Sequence, residues 1–203
     1  MNKTNYQALT DMEIKRLNGR KASLLLHACC APCSSASLEY LVKYFDITLF
    51  FYNPNISSAE EFNKRLSELE RFTKECPFAN GIRVISPEYN HREFLDAAAG
   101  LENAKEGGER CEQCFRLRLN KTAEQAEKSG YEYFATTLTI SPLKNAEKIN
   151  SCGEAAVVGN VMYLPTDLKK RERYKRSIEL SKQYGLYRQS FCGCEFSKVK
   201  TDN

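Results

Sequence analysis

The sequence predicts an α/β fold: a parallel sheet with helices on both faces. Three observations predict it. Short apolar or β-branched runs alternate with longer segments of helical spacing, the pattern of βαβ units. The first apolar run, Leu24-Leu25-Leu26-His27, breaks into a cysteine cluster and then small polar residues, a strand-to-helix turn of the kind that binds ligands in open α/β sheets. A length of 203 residues, 42% hydrophobic and 28% charged, suffices for a core that needs no disulfide staples.

The elements follow in order. Residues 1–22 read as a leader segment with a helix near 9–17, and 23–203 as a single α/β metalloenzyme domain. Residues 23–27 are short, apolar and uncharged, hence a buried strand, and Ser34 or Ser35 is a good N-cap for a helix over 37–44. The β-formers of 46–52 predict a second strand, ended by the turn Asn53-Pro54-Asn55. Ser57 or Ser58 then caps a helix to about Lys74, with Phe62, Leu66, Leu69 and Phe72 as its stripe. Residues 82–85 are a third strand and 91–99 a short helix. A helix over 111–128 places Phe115, Leu119, Thr122 and Ala126 on one face and stops at Gly130. Strands over 131–136 and 161–164 flank a helix over 143–150, and Asp167 caps a basic helix ending at Gly185. Residues 186–194 form an irregular closing segment.

Nothing in residues 1–20 resembles a signal peptide, and the uncharged stretch 22–38 is too short to span a membrane, so the expected location is cytoplasmic. Net charge is +4, but residues 166–203 carry 10 Lys and Arg against 5 Asp and Glu. Such concentration suits an anionic partner; a solvated basic helix is the plainer reading.

Seven of the nine cysteines form three clusters: Cys29, Cys30 and Cys33 as C-C-x-x-C, Cys111 and Cys114 as C-x-x-C, Cys192 and Cys194 as C-x-C. A C-x-x-C at a helix start presents two sulfurs on one face where the helix N-terminus favours thiolates. Gly193 lets the C-x-C backbone bend so that both sulfurs turn one way. Seven thiols exceed the four of a structural zinc site; the excess suits an iron–sulfur cluster plus a second metal or a redox pair, and spacing alone leaves iron–sulfur and zinc open. Cys76 and Cys152 read as structural cysteines, and His27 as a satisfied core histidine. The first turn has no glycine, which argues against a bound ATP or dinucleotide there.

Five stretches in register resemble the QueH family of epoxyqueuosine reductases: residues 27–34 (HACCAPCS), 51–56 (FYNPNI), 110–115 (RCEQCF), 136–145 (TTLTISPLKN) and 186–194 (LYRQSFCGC), the last preceded by 174–181 (YKRSIELS). The resemblance implies a Rossmann-like, adenine-nucleotide α-hydrolase (HUP) type of fold. It also implies the last step of queuosine synthesis, reductive removal of the epoxide oxygen of epoxyqueuosine in the tRNA anticodon. It implies a 4Fe-4S cluster with an adjacent mononuclear iron or zinc, no cobalamin, and an external electron donor. The chain departs from the family pattern in having Arg171-Glu172-Arg173 where a glycine often precedes Tyr174, and in having Cys33 where some relatives carry Asp.

On this reading Cys29, Cys30, Cys33, Cys111, Cys114, Cys192 and Cys194 are the metal ligands. Tyr187 is the candidate acid for the departing oxygen. Asn53, Thr137 and Ser141 end strands and line the base pocket. Lys169, Lys170, Arg173, Lys175, Arg176 and Arg188 hold phosphates. The rivals are a metal-binding module that binds tRNA without catalysis and a tRNA-thiolating enzyme, which would need the ATP loop that is missing.

Overall fold

The computed structural model describes residues 4–197. Strands β1 (Ala22–His27), β2 (Phe45–Phe50), β3 (Arg83–Ile85), β4 (Tyr133–Thr136) and β5 (Met162–Tyr163) form one sheet of order β3-β2-β1-β4-β5. All of its pairings are parallel. Helices α1 (Tyr6–Arg16), α2 (Ala31–Leu41), α3 (Ala59–Glu75), α4 (Arg92–Ala98), α5 (Glu109–Lys128), α6 (Ala146–Ala155) and α7 (Arg173–Gln183) surround it. This is the α/β, Rossmann-like architecture that the alternation predicts.

Strand periodicity divides the core. Leu24 and Leu26 point to one face, with Phe45, Leu49, Phe62, Leu69, Phe72 and Leu180. Leu25 points to the other, with Phe50, Phe134, Phe115, Leu119 and Ile149. A strand buried on both faces has no polar side to show, which is why β1 is a continuous apolar run. The helical stripes of α3 and α5 bury as their spacing predicts.

The chain runs outward from β1 to β3, then returns to lay β4 on the other side of β1. His27 pairs with Thr136 at the carboxyl ends of those two strands. The segments leaving them diverge there, and that divergence makes the crevice in which doubly wound sheets bind ligands.

Several boundaries differ from the sequence reading, among them the helix expected over 143–150, which is Ala146–Ala155 capped by Asn145. Helix α2 begins at Ala31, with Cys30 as N-cap and Pro32 in its first turn. Proline is pre-organised for that position, so the helix starts before Ser34 and Ser35, which instead bond the carbonyls of Cys30 and Pro32 at 2.9 Å. Asp167 does not cap α7; its carboxylate pairs with Lys169 at 2.6 Å, and Arg171 and Glu172, at φ 55° and 60°, delay the helix to Arg173. The expected glycine thus marks a place where the backbone is left-handed, here adopted by Arg171 and Glu172. The leader forms α1, where Thr10 Oγ1 donates to the Pro165 carbonyl at 2.7 Å. The ends of the leader and of the closing segment, residues 1–3 and 198–203, lie outside the described residues.

Candidate metal centre

All seven clustered cysteines line one cleft of about 390 Å³ at the carboxyl edge of the sheet. Three elements deliver them. The turn from β1 into α2 carries Cys29, Cys30 and Cys33, whose sulfurs lie within 4.8 Å of one another. The first turns of α5 carry Cys111 and Cys114, and the Gly107 N–H donates to Cys111 Sγ at 3.2 Å. The closing segment carries Cys192 and Cys194. Its Gly193, at φ 109°, presses on Ile56 and Arg65 so closely that a Cβ would meet Ile56 Cγ1 at 3.0 Å, and only glycine fits both conditions.

The closing segment is fastened by residues of the cleft wall and its surroundings. Arg65 on α3 donates to the Cys192 carbonyl at 3.1 Å, and the Ser57 N–H donates to the Gly193 carbonyl at 2.9 Å. The Arg110 guanidinium lies 4.8 Å from the Phe196 ring centroid and donates to the carbonyls of Leu101, Glu102 and Ala104.

Beneath the cysteines sits Arg118, only 1% exposed. Its Nη2 donates to Asn53 Oδ1 at 2.5 Å, its Nε to His27 Nε2 at 3.2 Å, and its Nη1 faces Cys114 Sγ at 3.9 Å. Asn53 in turn donates to the Ala28 carbonyl at 2.9 Å, so the guanidinium ties the C-x-x-C helix to the cysteine turn. His27 Nε2 also lies 3.1 Å from the Tyr52 carbonyl, and its Nδ1 faces Thr136 Oγ1 at 2.8 Å, so both ring nitrogens have partners. Burial and the charge of Arg118 push His27 down to about 3, which keeps it neutral. His27 is therefore the satisfied core histidine its apolar setting suggests.

The electrostatics favour one thiolate in the absence of a cation. Hydrogen bonds from the Cys30 and Cys33 thiols, with the charges of Arg118 and Lys144, hold Cys29 well below the ordinary thiol range. Cys30 is pushed up to about 12, chiefly by that same hydrogen bond. Burial raises Cys114 to about 11 and Cys194 to about 12. Burial works against the Lys144 ammonium, but its interactions with Cys192, Cys29 and Cys33 outweigh it and hold the amine above its ordinary value. Seven convergent sulfurs fit a metal or an iron–sulfur cluster, whose binding displaces thiol protons. Two further polar atoms on cleft-lining residues, Asn55 Oδ1 and Gln189 Oε1, are buried without a hydrogen-bond partner.

The other expected residues divide. Asn53, Ser141 and Arg188 line the cleft. Thr137 is not among its lining residues; its hydroxyl holds Cys29 instead, accepting from the Cys29 N–H at 3.3 Å. Tyr187 is turned to α3, where its hydroxyl lies 3.2 Å from both Glu61 oxygens and Lys64 covers its ring, so it is not placed as the acid. Arg173 is buried against Gln7 and the Tyr40 ring, and Arg176 is paired with Glu39 and Glu179. Lys169 is held by Asp167. These three pairings correct the expectation that the whole basic helix faces a phosphate backbone; Lys170 and Lys175 remain exposed. Arg118, Lys144 and Arg65 are the site cations that sequence reasoning missed.

Cys76 and Cys152 are buried and do not line the cleft. Cys76→Ser and Cys152→Ala are expected to keep metal content and turnover near wild type at a cost of about 1 kcal/mol. Iron assay and thermal melts check this; lost iron would bring that residue into the site.

Comparison with known proteins gives the family. A model of the family described as epoxyqueuosine reductase QueH matches residues 24–200. The chain is 42% identical over 180 residues to the epoxyqueuosine reductase QueH of Streptococcus pyogenes, covering 87% of this chain and 71% of that protein. It is 42% identical over 188 residues to the protein of the same name from Staphylococcus epidermidis, covering 90% and 79%. The Staphylococcus aureus protein of that name is 38% identical over 209 residues, covering 98% and 85%. Among the described residues no helix is long and apolar enough to cross a membrane.

Proposed function

Because the chain belongs to the QueH family of epoxyqueuosine reductases, oxidoreductases that act in tRNA modification, we propose that its cysteine cleft is the centre where the epoxide of epoxyqueuosine is reduced. The observation that supports this most is the convergence of seven thiols, from three distant stretches of sequence, beside two cations at the switch point of the sheet. Cys29, Cys30, Cys33, Cys111, Cys114, Cys192 and Cys194 would hold a 4Fe-4S cluster and an adjacent iron or zinc. When bound, that group supplies single electrons from an external donor and polarises the epoxide oxygen.

The chain's own residues do the rest. Arg118 and Lys144 compensate the negative charge gathered by the thiolates. Asn55 Oδ1 and Gln189 Oε1 accept hydrogen bonds from the donors of the modified base, and Ser141 and Arg188 bound the space beside them. Loss of the epoxide oxygen as water consumes two electrons and two protons. Lys144 Nζ, a proton-bearing cation that lines the cleft, takes the role the sequence assigns to Tyr187 and delivers one of these protons to the departing oxygen, and solvent supplies the other. The nucleotide leaves its stack to reach the cleft. Lys170, Lys175 and Arg188 hold neighbouring phosphates.

The test is anaerobic purification, assay of iron, sulfide and zinc, and turnover of epoxyqueuosine-containing tRNA with a chemical one-electron reductant. Iron and sulfide together with queuosine formation are expected. Zinc alone, with tRNA binding and no turnover, would leave a non-catalytic tRNA-binding module.

A further inference from the structure

Leu143 is 89% exposed, the most exposed of the large hydrophobic side chains among the described residues. The others that are substantially exposed, Met12, Val157, Val158 and Met162, are not among the residues lining the cysteine cleft; Leu143 is. A single exposed leucine needs no explanation by itself. Its support does.

The 3₁₀ turn Thr137–Ile140 leaves β4 and feeds a β-turn over residues 141–144. Pro142 holds the second position of that turn, where its ring pre-sets φ, and the Lys144 N–H closes it on the Ser141 carbonyl at 3.3 Å. Ser141 Oγ also accepts from the Leu143 N–H at 3.3 Å. Asn145 then caps α6, its Oδ1 accepting from the amides of Glu147 and Lys148. Leu143 is thus the third residue of a turn clamped at both ends. On one side its neighbour Lys144 faces the thiols. One helical turn onward, Lys148 Nζ reaches across to the Gly107 carbonyl at 3.1 Å.

We propose that Leu143 is a wedge that enters the tRNA anticodon loop beside the reacting nucleotide and fills the stack which that nucleotide leaves. This deepens the reading of the cleft as the epoxyqueuosine site and rests on it. An apolar side chain is the usual instrument for such unstacking, because it meets base faces without competing for their hydrogen bonds. A stiff turn keeps the side chain from collapsing onto the protein. Lys144 and Lys148, which follow it and line the same cleft, supply the attraction for the loop's phosphates. A hydrophobic prong at a cation-flanked cleft mouth has a matching partner in a nucleic acid loop, which offers stacked apolar faces inside an anionic shell.

The test uses the full chain, purified anaerobically, and anticodon stem-loops carrying 2-aminopurine on one or the other side of the first anticodon base. Wild-type protein is expected to raise the fluorescence of at least one of the two as that base loses its neighbour. Leu143→Ala should abolish most of that rise and weaken stem-loop affinity about tenfold, the scale of one base–side-chain stacking contact. Leu143→Phe should restore both. Iron content and thermal midpoint are measured for each variant, so that a collapsed turn is recognised; Leu143→Phe recovering the signal also excludes it. A full rise with Leu143→Ala overturns the wedge. Wild-type binding with no rise in either stem-loop overturns it too, while leaving the cleft as the epoxyqueuosine site. Wild-type protein that binds neither stem-loop overturns the tRNA reading itself.

Discussion

Serine at Cys111 or at Cys114 is expected to strip the protein of its iron and to end turnover, with the fold intact. Each sulfur is proposed as one thiolate ligand, and a four-ligand cluster tolerates the loss of one poorly. Serine matches the thiol in size, but its hydroxyl does not give up its proton to a metal as a thiol does. The two positions test different surroundings. Cys111 is partly exposed and receives the Gly107 N–H, whereas Cys114 is buried, its thiol raised to about 11, with Arg118 beside it. Cys111 packs at the edge of the cluster of Phe115, Leu119, Ala123 and Ala126 that seats α5 on the sheet, and Cys114 belongs to the small cluster with Phe94, Ala98 and Cys194, but serine keeps nearly the volume of either thiol. Circular dichroism and the melting transition should therefore change little while the brown absorbance and bound iron fall to background. Brown protein with full iron in either variant would show that this pair does not hold the cluster.

The order of strands and helices was legible because each element states its own period: Leu24 to Leu26 as a buried run, Phe62, Leu69 and Phe72 at helical spacing. The placement of the first two cysteine clusters followed from the same order, since a parallel sheet puts strand ends and helix starts on one edge; Cys192 and Cys194 follow a helix end and reach that edge because the closing segment folds back. What stayed hidden depends on partners far away in sequence. Arg118 lies one turn beyond Cys114 on a strongly charged helix and reads as a solvated residue; its burial is decided by Asn53 and His27, which reach it from two strand ends. Lys144 likewise reads as an ordinary lysine of a helix over 143–150 until the sheet brings Cys29 and Cys33 close to it. Tyr187 misleads in the opposite sense. It is close to Cys192 in sequence, but five residues of irregular chain span on the order of 15 Å, enough to leave it on the outer face of α3. The basic run 169–176 divides because a helix packed against α2 turns alternate cations inward, where Glu39 and Gln7 meet them.

Removal of residues 190–203 is expected to abolish epoxide reduction while leaving the α/β domain folded. All five strands and seven helices end before the cut. What the cut removes is a cover. Cys192 and Cys194 go, and so do the Cys192 and Gly193 carbonyls that Arg65 and Ser57 hold. The His91–Glu195 contact at 3.1 Å and the Phe196 ring beneath Arg110 are also lost, exposing part of the small cluster around Phe94 and Cys114. Metal binding would normally add its free energy to the ordering of this segment, so the truncated protein should also be insensitive to chelators in a thermal melt. Hydrogen exchange should separate the two halves of the closing segment. The amides of Leu186 and Tyr187 are anchored upstream of the cut, on the Ser181 carbonyl at 2.8 Å and Glu68 Oε1 at 2.7 Å, and should keep their protection. Residues 188 and 189 have no such anchor among the described residues and should exchange fast, while 46–52 and 131–136 in the sheet should exchange as slowly as before. A truncated protein that still converts epoxyqueuosine-tRNA would remove the C-x-C pair from the chemistry and confine the site to the cysteines of the first turn and of α5.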